Sequence, residues 1–76
     1  MPYRNVSELP LAVRKHLPMH AQRIYLKAFN NAWEQYSDEK KRRGGASREE
    51  TAHKVAWSAV EHVYQKGKDG KWKRRN

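Results

Sequence analysis

No cysteine occurs in the sequence, so disulfides and thiolate-held zinc are excluded. No apolar run approaches the ~20 residues that a membrane-spanning helix needs. Residues 1–20 hold no apolar stretch of the kind a secretory signal requires, and Pro2, Pro10 and Pro18 interrupt them. These absences predict a soluble cytoplasmic protein. Motifs of chemistry are missing too. There is no HExxH, no nucleophile elbow and no glycine loop to cradle phosphate. Neither an RNP-type sequence nor a turn of helix-turn-helix length is visible. The expectation is a non-enzymatic chain with no catalytic residue, no metal ligand set and no cofactor.

Acidic residues are scarce, eight against 17 Lys and Arg, which leaves a net charge of +9. Such a balance points to acidic partners: nucleic acid, anionic headgroups or an acidic protein surface. The 76 residues make one domain, spanning 1–76. A domain of this size buries only about 60% of its unfolded surface. Three Trp, four Tyr and one Phe are therefore the natural centre of its core.

The periodicity predicts three helices. Leu9, Val13 and Leu17 form a narrow stripe over about 8–17, with Ser7 as cap and Pro18 as stop. Ala21, Ile24, Tyr25, Ala28, Phe29, Ala32, Trp33 and Tyr36 keep helical spacing in a segment expected to run from 19 to 42. Gly44 and Gly45 stop it. Ser47-Arg48-Glu49-Glu50 matches a capping box. Behind it Ala52, Val55, Ala56, Ala59, Val60, Val63 and Tyr64 repeat the spacing over 48–66. The two long stripes are expected to meet face to face. A basic tail, 67–76, follows with a turn signal at Asp69-Gly70. Trp72 would fold back and pair, as a short strand, with residues 2–4.

Four histidines invite a metal reading. His53 and His62, nine residues apart, point to opposite sides of one helix. Pro18 separates His16 from His20. Too few ligands share a face for a zinc site. On the third helix Arg48, Glu49, His53, Lys54, Glu61 and His62 are expected to face water, with Trp57 flanking the apolar stripe.

The basic clusters are the candidate binding residues. Lys40, Lys41, Arg42 and Arg43 form a run at a helix end. Lys71, Trp72, Lys73, Arg74 and Arg75 form the second, joined by Lys66 and Lys68. They suit an acidic protein surface, and nucleic acid is the alternative, with Trp72 available to stack on a base.

Leu9-Pro10, Leu17-Pro18, His20-Ala21-Gln22, Ile24-Tyr25, Ala28-Phe29-Asn30, Ala32-Trp33, Tyr36, Ser47-Arg48-Glu49-Glu50, Ala52-His53, Val55-Ala56-Trp57, Ala59-Val60 and the late Trp72 together resemble the ChaB family of small bacterial proteins. The departures lie in 37–46 and in the tail. The resemblance implies a mainly α, three-helix domain with a minor two-stranded β element joining the N- and C-termini. It also implies a regulator of a calcium/sodium–proton antiporter, and so a partner on the cytoplasmic side of that transporter. It brings no catalytic residues.

Overall fold

The computed structural model describes residues 3–38, 40 and 47–75. Three helices and a C-terminal hairpin appear in the order α1 (Leu11–His16), α2 (Met19–Gln35), α3 (Arg48–Val63), β1 (Tyr64–Lys66) and β2 (Trp72–Arg74). A 3-10 turn at Val6–Glu8 precedes α1. The fold class is thus three helices with a small antiparallel sheet, as the sequence predicts.

Prolines set the first boundaries. Pro10 and Pro18 stand at the caps of α1 and α2. Leu17 is extended at φ −107° and ψ 136°, because the ring of Pro18 disfavours the helical region for its predecessor. The first helix is therefore shorter than 8–17. Asn5, not Ser7, caps the preceding turn by accepting the Ser7 N–H at 3.0 Å.

Helix α2 ends at Gln35 and not at residue 42. The Asp38 carboxylate accepts the Lys40 N–H at 3.0 Å, a local bond that offers the backbone an alternative to the helix ladder. Residues 41 and 42, the far end of the expected helix, lie outside the described residues. The Ser47 cap forms as read: Ser47 Oγ accepts the Glu50 N–H at 3.0 Å. At its other end α3 stops at Val63, three residues before the expected Lys66. Tyr64 turns extended, at φ −123° and ψ 158°, and starts β1.

The sheet does not join the termini. Tyr64 pairs with Arg74, Gln65 with Lys73 and Lys66 with Trp72. The Asp69-Gly70 signal makes the connecting turn. Gly70 adopts φ +82°, and its N–H donates to Gly67 O at 3.0 Å. A left-handed residue closing a turn is the usual device of three-residue hairpin loops. Tyr3 finds a different partner. The Asn30 side chain accepts its N–H at 2.9 Å and donates to its carbonyl at 2.8 Å. One amide thus plays the part of a neighbouring strand, and the Tyr3 ring lies 4.8 Å from Phe29.

The core runs between α2 and α3. Ala21, Tyr25, Phe29 and Ala32 meet Ala52, Ala56 and Val60, with Leu9, Val13, Leu17 and Tyr64 closing it. Alanines bring the helices close, so the tyrosine and phenylalanine rings fill the remaining volume. Contacts pair Trp33 with Arg48, Tyr25 with His53 and His20 with Tyr64, so the long helices are antiparallel.

Candidate functional site

Several polar residues along the helices are held by other groups of the fold rather than turned fully to water. Two of the residues expected on the wet face of α3 are half-buried. Arg48 Nε donates to Trp33 O at 2.7 Å, and its guanidinium lies 4.3 Å above the Trp33 ring. Such a stack suits arginine, whose planar cation is weakly hydrated. His53 lies against Phe29, with ring centres 4.7 Å apart, and its Nδ1 is hydrogen-bonded to the Tyr25 hydroxyl. Burial, and then the neighbouring Tyr3, pushes the Tyr25 hydroxyl well above the usual tyrosine range, so it stays protonated. Burial also raises Tyr3, with the Glu49 carboxylate adding to it. His53 Nε2 faces Glu49 at 3.6 Å.

His20 Nδ1 and Tyr64 Oη are 2.9 Å apart, which ties the start of α2 to β1. Gln22 is buried and donates to Leu17 O at 2.8 Å and Arg14 O at 3.3 Å, capping the carbonyls left open at the end of α1. His62 is exposed on the outer side of α3, beside a shallow depression lined with Ser58, Glu61 and Arg75. Among the described residues, no three His, Cys, Asp or Glu side chains gather as a metal-holding group.

The nine predicted binding residues separate into three groups. Lys71, Lys73 and Arg74 are exposed on the hairpin. Trp72 turns inward and is half-buried, with its ring 5.7 Å from that of Trp57. It supports the hairpin and is occupied by the core. Arg75 is partly engaged as well: its N–H donates to Val63 O at 2.8 Å and its Nε to Glu61 O at 2.7 Å. A cation on the open carbonyls of a helix C-terminus is favourable for both hydrogen bonding and the helix dipole. Lys40 is exposed but lies beyond the far end of α2, about 25 Å of helix away from the hairpin. Lys41, Arg42 and Arg43 lie outside the described residues.

Charge divides along the same line. Residues 34–50 hold five acids and five cations, whereas 51–76 hold seven cations and two acids. Residues 9–33 hold four cations and no acid. The whole excess of +9 therefore belongs to the segments that build α1, α2, most of α3 and the hairpin. This uneven count was open to sequence reading; that the start of α2 and the hairpin share one end of the molecule was not. No helix is long and apolar enough to cross a membrane among the described residues.

Comparison with known proteins agrees with this architecture. The ChaB family model matches residues 9–75. Proteins named "Putative cation transport regulator ChaB" from Escherichia coli strain K12 and from Shigella flexneri are each 59% identical to the chain over 76 residues, covering all of both sequences. An NMR solution structure bearing the same name, also 59% identical, superposes with a TM-score of 0.83 over 99% of this chain and 100% of its own. By family model, full-length identity and fold, this chain belongs to the ChaB family.

Proposed function

We propose that the protein is a non-enzymatic docking module that regulates a cation-transport system from the cytoplasm. Its target is an acidic surface on the cytoplasmic side of a calcium/sodium–proton antiporter. The observation that carries this reading is the hairpin. It presents Lys71, Lys73 and Arg74 to solvent on a short strand braced by Trp72 and Arg75. Rigid presentation lowers the ordering cost of docking, and clustered cations steer an acidic partner into place. The relatives' name supports the transport setting. The run Lys40–Arg43 would make a second contact.

The test is association of the purified chain with a purified antiporter across a salt series. Lys71→Gln, Lys73→Gln and Arg74→Gln together should weaken binding and flatten its salt dependence. Neutralising Lys40, Lys41, Arg42 and Arg43 should have a separate, additive effect. Unchanged binding in both variants contradicts the reading. Short duplex DNA at about 150 mM salt is the control ligand. Packing of Trp72 on Trp57 supports the bracing role over base stacking.

A further inference from the structure

Among the described residues, Leu11 and Met19 are the large apolar side chains left exposed, at 60% and 52%. Their placement is regular. Leu11 stands about 160° around α1 from the buried Val13, so it points away from the core. Lys15 follows one turn later on the same outward side. Met19 opens α2, and Arg23 and Lys27 follow it at successive turns, all three exposed. Two consecutive helices thus repeat one design: an exposed apolar side chain, then a cation at i+4.

The surroundings of these residues are one-signed. No acid occurs between Glu8 and Glu34. Among the described residues no ion pair engages Arg14, Lys15, Arg23 or Lys27; the pair found is His53 with Glu49. The His20–Tyr64 contact brings the start of α2 beside the hairpin, so the cations of β2 stand at the same end. An acidic protein surface would satisfy the charges but would have to supply matched apolar pockets for Leu11 and Met19 as well. A soluble phosphate would satisfy the charges but leave Leu11 and Met19 without a role. A bilayer with anionic headgroups uses both: phosphates meet the lysines and arginines, and the two side chains enter the boundary between headgroups and acyl chains.

We propose that the outward-facing residues Leu11 and Lys15 of α1 and Met19, Arg23 and Lys27 of α2 together bind the surface of an anionic lipid bilayer. The proposal is independent of antiporter docking, because it concerns lipid and residues outside the hairpin and the 40–43 run. Attachment is peripheral and reversible. Two apolar side chains are far fewer than a stable anchor needs, so the cations supply much of the affinity. Each cation near an anionic surface contributes about fivefold to binding.

Co-sedimentation with vesicles of equimolar phosphatidylglycerol and phosphatidylcholine, against phosphatidylcholine alone, tests the idea at about 150 mM salt. The chain should bind the anionic vesicles and not the neutral ones. Leu11→Ser with Met19→Ser should reduce partitioning on the order of tenfold. Lys15→Gln, Arg23→Gln and Lys27→Gln together should reduce it on the order of a hundredfold. All five positions are exposed, and far-UV circular dichroism checks that the variants stay folded.

The absence of cysteine permits a direct reading of depth. A polarity-sensitive fluorophore on Leu11→Cys should shift to the blue on anionic vesicles, and one on Ser58→Cys should not. Binding that survives Leu11→Ser with Met19→Ser, together with an unshifted label at position 11, overturns the proposal. So does full displacement by inorganic phosphate at the same charge concentration, which would make soluble phosphate the ligand.

Discussion

The seam between α2 and α3 and the hairpin that follows it use polar side chains in opposite ways. In the seam, polar groups are matched within the fold: Tyr25 with His53, Asn30 with the Tyr3 backbone, Arg48 with Trp33. On the hairpin, Lys71, Lys73 and Arg74 stand in solvent, while Trp72 and Arg75 secure the strand to α3. A buried polar group without a partner costs ~1–3 kcal/mol, so the seam tolerates little change. An exposed cation contributes little to stability, so the hairpin can be charged for another purpose. The difference separates a small, fully committed core from a charged surface that the fold does not need.

The comparison can be broken most severely in the seam. Phe29 is completely buried beneath Tyr3, Tyr25, Trp33 and His53. Phe29→Ala should cost ~3–5 kcal/mol, enough to unfold much of a domain this small. Urea denaturation measures it. Trp72→Ala removes a half-buried ring at the edge and should cost about half as much. Hydrogen exchange should then accelerate in the hairpin amides before those of α2 and α3, because the strand loses its contact with Trp57.

Tyr25→Phe is milder at neutral pH, about 1 kcal/mol, since it removes one hydrogen bond and no volume. Its signature lies at high pH. Burial holds the Tyr25 hydroxyl above its ordinary value near 10, so the folded chain keeps a proton that the unfolded chain releases. The stability linked to this group is present in full below about pH 10 and is lost as pH rises above it. Thermal melts from pH 8 to 11 should show that decline in the native chain and a shallower one in Tyr25→Phe.

Gly70→Ala should cost about 1 kcal/mol and act on the hairpin alone. At φ +82° an added Cβ is strained, although it meets no atom within 4 Å. Smallest of all, Lys71→Gln, Lys73→Gln and Arg74→Gln together should move stability by less than about 0.5 kcal/mol.

Much of the seam is legible in the sequence because it obeys a local rule. The apolar stripe of α2, the Ser47 cap and the Asp69-Gly70 turn each follow from residues within a turn or two of one another. The β1 strand is not legible in this way. Tyr64-Gln65-Lys66 continues the helical spacing of α3, and only pairing with Trp72–Arg74 draws it into extended form. The same holds for the histidines. His53 meets Tyr25 across 28 positions and His20 meets Tyr64 across 44, so neither role can be read from neighbours. For the candidate site, composition supplies the cations but not their separation. Lys40 and the hairpin cations, two clusters along the sequence, fall at opposite ends of α2.

The central claim is that the hairpin cations serve binding and not folding. It is tested most directly by measuring melting temperature and antiporter affinity on the same Lys71→Gln, Lys73→Gln, Arg74→Gln chain. The account predicts an unchanged melting temperature with affinity reduced at least tenfold at low salt. A variant that binds as tightly as the native chain, or that melts well below it, would contradict that division.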